Sequence, residues 1–190
     1  MKYNFPFLTI CLLDACNKNC KHCYRTAIPG GHDFKLTFDE TKKAIANVNS
    51  LGFSCMFAGG EPTIWSDGAT SFVDLLNYAG KLHGEVWFIS NGRIFEDRMK
   101  AKTFFEKLET SFKLRIIFSI DGIHENYNRE QSILGLIEEY SEIIGKEVLG
   151  QIMNSKESIR FAGCSICSIL YKSGAFEKIN RLLLAEDKQL

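Results

Sequence analysis

The residues most suited to chemistry are Cys16, Cys20 and Cys23, within Cys16-Asn17-Lys18-Asn19-Cys20-Lys21-His22-Cys23. Thiolates are soft donors that select iron–sulfur clusters, zinc or copper(I). Spacings of three and two residues let one short loop wrap one centre. An iron–sulfur cubane normally takes four cysteines, so three local ones leave an iron without an obvious protein ligand. An open coordination position is what a catalytic metal centre keeps. A structural zinc site completed by a distant fourth ligand fits the same spacing, as do three unrelated cysteines. The loop alone leaves all of these readings standing.

Three further segments carry polar or glycine-rich signals. Gly59-Gly60-Glu61-Pro62 follows an apolar run, and glycines there admit a ligand close to the backbone. Ser90-Asn91-Gly92 and Ser119-Ile120-Asp121-Gly122 offer hydroxyl and amide groups. Asn-Gly is also an ordinary turn signal, and Asp121 suits the stabilisation of its own turn. Lys18, Lys21 and Arg25 read as solvated charges. Cys11 and Cys55 fall inside apolar runs, where free cysteine packs as a small hydrophobe. Cys164 and Cys167 form a Cys-x2-Cys pair. Inert core thiols, half of a shared metal site and a redox pair all fit it.

Taken together, the Cys-x3-Cys-x-aromatic-Cys pattern, with His22 in the aromatic slot, resembles the signature of the radical S-adenosylmethionine (radical SAM) superfamily. Gly59-Gly60-Glu61-Pro62 and Ser90-Asn91-Gly92 match its next two motifs in order. Ser119-Ile120-Asp121-Gly122 resembles a turn of members that modify peptides and proteins. The resemblance spans about residues 5 to 130. It implies that Cys16, Cys20 and Cys23 ligate a [4Fe-4S] cluster whose fourth iron takes S-adenosylmethionine. It further implies cofactor contacts at Gly59, Gly60, Glu61, Ser90, Asn91, Ser119 and Arg129. The implied activity is reductive cleavage of S-adenosylmethionine to a 5′-deoxyadenosyl radical. That radical would take hydrogen from a peptide or protein substrate, with flavodoxin or ferredoxin as electron donor. Activation of a glycyl-radical enzyme and small-molecule radical chemistry are the enzyme alternatives. An iron–sulfur electron carrier or a zinc-binding module are the others, although neither needs the Gly59–Pro62 turn.

The elements that must position these groups alternate. Strands are expected at 5–13, 53–58, 85–89 and 114–120. Helices are expected from near Thr37 to just before Gly52, at 70–82 and at 96–108. Helical spacing points Ala44, Ile45, Val48 and Leu51, then Phe72, Val73, Leu75, Leu76 and Ala79, inward. A helix at 132–144, strands at 147–153 and 159–166, and a closing helix at 176–185 complete the pattern. Alternating strands and helices predict parallel βα units, and every nominated motif falls just past a strand, the face where such sheets bind ligands. With the resemblance, the expected fold is a partial parallel (β/α)5-6 barrel in one domain, 1–190. Residues 154–190 are then a closing segment.

Composition narrows the partners. The 190 residues carry 23 basic and 23 acidic side chains, a formal charge of zero. Generic nucleic-acid binding needs a basic face, so no nucleic-acid partner is expected. The apolar run at 7–13 ends at Asp14 and is too short for a membrane span. Seven cysteines without an even pairing pattern suit a reducing, cytoplasmic setting, where clustered cysteines mean metal binding or catalysis.

Overall fold

A computed structural model describes residues 7–20, 23, 29, 34–109, 111–119 and the backbone of 148–153. Five strands form one parallel sheet: β1 (Phe7–Cys11), β2 (Ser54–Ala58), β5 (Glu85–Ser90), β6 (Lys113–Ser119) and β7 (Val148–Met153). Their spatial order is β1-β2-β5-β6-β7, the order of the chain. Parallel crossovers are right-handed, so steps always taken in one direction leave the connecting helices on one face of the sheet. A doubly wound sheet instead reverses its strand order at a switch point. The monotonic order is that of a partial barrel.

The helices follow from local chemistry. α1 (Phe38–Ser50) starts where expected: Thr37 is its N-cap and forms a capping box with Glu40. Ala44, Ile45 and Val48 are buried. Leu51 is not, because it is the C-cap, where the chain turns away before Gly52. Sequence periodicity carried it one step too far. α2 (Phe72–His83) begins two residues later than expected, since Thr70–Ser71 (β4) pairs with Ser66–Asp67 (β3) in a small hairpin. Asp67 then accepts a hydrogen bond from the Phe38 N–H at 2.8 Å, tying that hairpin to α1. α3 (Arg98–Glu106) is shorter than expected. A 3-10 turn occupies Arg93–Glu96, and Asp97 caps the helix through the N–H groups of Met99 and Lys100.

The core lies between sheet and helices. β5 and β6 alternate strictly, with Val86, Phe88, Ser90, Leu114, Ile116 and Phe118 buried on the helix side. Phe57, Phe72, Phe88, Phe104, Phe95 and Phe118 form a chain of ring contacts, most of them edge-on, the arrangement aromatic quadrupoles prefer. The opposite face is only half-buried along β5 and β6. Those two strands are therefore two-sided. Cys11 and Cys55 are buried, as expected. The expected helices at 132–144 and 176–185, the strand at 159–166, Asp121, Arg129, Cys164 and Cys167 lie outside the described residues. Among the described residues, no helix is long and apolar enough to cross a membrane.

Candidate functional site

The candidate site is built where the C-terminal ends of β1, β2 and β5 meet. Beyond β1 the chain keeps its register against β2. Leu12 N–H donates to Ala58 O at 2.9 Å, Gly60 N–H to Leu13 O at 2.7 Å, and Glu61 N–H to Ala15 O at 2.9 Å. This extra ladder delivers Cys16 to the end of the sheet. It also gives the two glycines a concrete reason. A Cβ on Gly60 would lie 1.9 Å from Ala15 O, and one on Gly59 would lie 2.5 Å from Leu13 O. Gly59 also has φ of +139°, a value that side chains disfavour. The backbone that crowds them is the chain's own, on its way to the cysteine loop. The sequence suggested a ligand in that role.

Glu61 sits at the centre. It is almost fully buried and joins three segments. Its Oε1 accepts from Ser90 Oγ at 2.9 Å, Thr63 Oγ1 at 2.7 Å and Thr63 N–H at 3.2 Å. Its Oε2 accepts from Asn91 N–H at 2.8 Å. Burial pushes its carboxyl above the usual range, and the donors from Thr63, Asn91 and Ser90 oppose that push. Ser90 is also buried. Its hydroxyl donates to Glu61 and accepts from Gly92 N–H at 3.0 Å. Glu61 and Ser90, nominated for the cofactor, thus spend these contacts on holding the tips of β2 and β5 together.

Asn91 carries that order to the cysteines. Its Nδ2 donates to Asn17 Oδ1 at 2.8 Å and lies 3.6 Å from Cys16 Sγ. Its Oδ1 accepts from Arg93 N–H at 3.0 Å, and the Arg93 guanidinium donates to Asn17 O. Cys16, Cys20 and Cys23 are partly buried thiols. Cys23 N–H donates to Cys20 O at 3.0 Å. Burial raises the Cys16 thiol above its usual range, outweighing donors from the Lys18 main chain and Asn91; the charges of Glu61 and Cys23 push the same way. Ser119 ends β6 opposite Met153, on the face away from buried Phe118. Asn17, Thr63 and Arg93 were not nominated from sequence. Asn17 and Thr63 adjoin motif residues, a weak signal. Nothing in the local pattern points to Arg93.

A separate groove of about 330 Å³ lies among α2, α3, a short 3-10 turn at Pro62–Ile64 and the one at Arg93–Glu96, lined by Thr63, Phe72, Ile94, Lys100, Phe104 and Lys107 among others. None of the nominated residues lines it.

Comparison with known proteins decides what this arrangement belongs to. The model of the radical SAM superfamily matches residues 10–170, most of the chain. The chain belongs to the radical SAM superfamily. It is 30% identical over 113 residues to a 7,8-dihydro-6-hydroxymethylpterin dimethyltransferase of Methanocaldococcus jannaschii, an alignment covering 58% of this chain and 21% of that protein. It is 31% identical over 121 residues to an Fe-coproporphyrin III synthase of Methanosarcina barkeri, covering 63% and 28%. The alignments therefore span about a quarter of those relatives' length. Among solved structures it is similar to BtrN in complex with AdoMet and 2-DOIA, with a TM-score of 0.48, 15% identity, and coverage of 80% of this chain and 58% of that one.

Membership of the superfamily implies a [4Fe-4S] cluster and S-adenosylmethionine. The described residues fit such a cluster by their donor chemistry. Among them, no three His, Cys, Asp or Glu side chains converge on one ion. A cubane bound through three cysteines places each thiolate on a different iron and needs no such convergence. Three soft sulfurs on one loop, with an amide N–H aimed at one of them, suit it.

Proposed function

We propose that Cys16, Cys20 and Cys23 hold a [4Fe-4S] cluster with one iron left for the amino and carboxylate groups of S-adenosylmethionine. The enzyme then acts on a peptide or protein segment. The observation that carries this reading is the link from Asn91 to Asn17 and Cys16, which draws the cysteine loop onto the tips of β2 and β5. Three motifs well separated in sequence thereby share one end of the sheet.

A bound cluster would supply the one-electron reduction that radical chemistry on S-adenosylmethionine requires. The protein's residues bind and orient. Main-chain carbonyls of Gly59 and Gly60 receive the cofactor's ammonium group. Asn91 and Ser119 offer polar contacts to its ribose and carboxylate, and Arg129 pairs with the carboxylate. Glu61 and Ser90 keep these groups in place from behind. Cys16 gives up its proton when it binds iron, since the thiolate is the ligand. A one-electron donor of the flavodoxin or ferredoxin class serves the cluster.

One feature supports the peptide substrate: the likeness of Ser119-Ile120-Asp121-Gly122 to the turn of peptide-modifying members. The names of the two curated relatives favour a second reading, a nitrogen heterocycle. The test is anaerobic reconstitution, iron counting, and electron paramagnetic resonance before and after S-adenosylmethionine. About four irons and a reduced-cluster signal that shifts with cofactor are expected. Cys20→Ala abolishes both signal and 5′-deoxyadenosine release. An unshifted signal, zinc in place of iron, or retained cleavage in Cys20→Ala refutes the assignment. Release of 5′-deoxyadenosine stimulated by pterins or porphyrins but not by peptide mixtures replaces the first substrate with the second.

A further inference from the structure

The cysteine loop is held from outside itself at one end. Asn17 follows the first nominated ligand, and two residues from the tip of β5 grip it. Asn91 Nδ2 donates to its side-chain oxygen at 2.8 Å, and the Arg93 guanidinium donates to its main-chain oxygen. The grip is itself braced, because Asn91 Oδ1 accepts from Arg93 N–H at 3.0 Å and Asn91 N–H donates to buried Glu61. The same Nδ2 lies 3.6 Å from Cys16 Sγ, within the longer reach of a hydrogen bond to sulfur.

We propose that Asn91 and Arg93 are positioning residues that fix Cys16 through Asn17 before any metal arrives, with the Asn91 amide then serving as an N–H donor to the Cys16 sulfur in the loaded enzyme. The inference rests on Cys16 being a cluster ligand. It adds a task that the ligand assignment does not require. A loop of this length without outside anchors samples many arrangements, and fixing it in advance reduces the ordering cost of taking up the cluster. Asn91 is nearly buried, so its amide is a defined partner, whereas Arg93 reaches in from an exposed position with a charge-assisted bond. An N–H donated to a cluster sulfur stabilises the more negative, reduced state, and hydrogen bonds to sulfur are among the determinants of cluster potential.

The metal-free chain gives the first readout. Arg93→Ala and Asn17→Ala are pulsed anaerobically with iodoacetamide, and each cysteine is followed by mass spectrometry. Cys16 is expected to label roughly two- to tenfold faster than in the wild type, the size set by one or two lost hydrogen bonds. Cys11 and Cys55, buried in the core, stay slow and report that the fold is intact. Arg93→Lys keeps a cationic donor and recovers part of the protection. In the loaded protein, Asn91→Ala shifts the midpoint potential of the cluster to a more negative value, which loss of fold stability alone does not produce. Unchanged Cys16 labelling in both Arg93→Ala and Asn17→Ala overturns the clamp. An unchanged potential in Asn91→Ala overturns the contact to sulfur. A wild-type chain that takes up no iron–sulfur cluster defeats the ligand assignment instead, and the labelling experiment still judges the clamp.

Discussion

Replacing Glu61 by Gln tests whether the hub of the site works as a carboxylate. The four donors fall on both oxygens: Ser90 Oγ, Thr63 Oγ1 and Thr63 N–H on Oε1, and Asn91 N–H on Oε2. Two of them are main-chain N–H groups, one on each oxygen, and a main-chain N–H cannot turn round. A glutamine amide has one oxygen. If that oxygen faces Asn91, its NH2 meets the Thr63 N–H; if it faces Thr63, its NH2 meets the Asn91 N–H. Either way one buried N–H loses its acceptor, at about 1–3 kcal/mol. The remaining bonds also lose their charge assistance. Relief of the burial that raises the carboxyl works in the opposite direction. We expect a net loss of roughly 1–3 kcal/mol at pH 7.5, which is a factor of about 5 to 150 in the folding equilibrium. Urea unfolding of the metal-free chain measures it as a lower midpoint with an unchanged slope. The pH dependence has a definite sign. Because burial raises the folded value above 4.5, the folded chain keeps a proton that the unfolded chain has released. Wild-type stability therefore falls as pH rises through that window and recovers on acidification. Gln lacks this slope, so the gap between the two proteins widens as the pH is lowered. A gap below about 0.5 kcal/mol at pH 7.5 refutes the reasoning, because Gln would then be mimicking a neutral acid already present.

Gly60→Ala drives a methyl into Ala15 O and Asp14 O, which are main chain and have no rotamer to yield. It is expected to cost upwards of about 3 kcal/mol and to reduce iron uptake on reconstitution; wild-type iron content in a folded variant contradicts the packing argument. His83 Nε2 lies 3.3 Å from Ile45 O, and burial lowers its proton affinity below the ordinary value of 6.5, against the pull of the Ile45 and Phe53 carbonyls. The unfolded chain therefore binds a proton that the folded chain refuses, and stability is lost as pH falls from about 6.5 towards the folded value. His83→Gln flattens that limb in urea titrations between pH 7 and 5, and an unaltered limb places its origin elsewhere. Phe95→Ala removes a fully buried ring that meets Phe104, Phe105 and Phe118. A loss of about 3–5 kcal/mol is expected by chemical unfolding, and a much smaller loss means the ring cluster collapses to fill the space.

The parts of the fold that sequence revealed are those governed by neighbours in the chain. Thr37 and Glu40 announce the start of α1 because a capping box is local chemistry. The strands at 54–58, 85–90 and 113–119 lie close to their expected limits because each is an apolar run closed by a polar turn. The hairpin at 66–71 was missed because its strands are two residues each and their pairing depends on tertiary contacts such as Asp67 with Phe38 N–H. Cys16, Glu61, Ser90 and Asn91, which come from three separate motifs, are neighbours in space, but the motifs do not say what each one touches. Gly60 is crowded by Ala15, 45 positions earlier in the chain. Arg93 meets Asn17 across 76 positions. Contacts of that kind leave no periodicity to read, and a residue such as Arg93 is indistinguishable in sequence from any surface arginine.

The distance along the chain from Asn17 to Asn91 and Arg93 also sets an order of events during synthesis. A ribosome that has released the cysteine loop has not yet made the residues that grip it. The parallel strand β5 must emerge, cross over and pair with β2 before Asn91 reaches Asn17. Such non-local parallel pairing is slow compared with closing a short loop. Cysteines on the nascent chain are therefore exposed to stray metal and oxidants while their anchors are still missing. A truncation ending before residue 93, which lacks the Arg93 contact to Asn17, is expected to collect metal less specifically than the full chain.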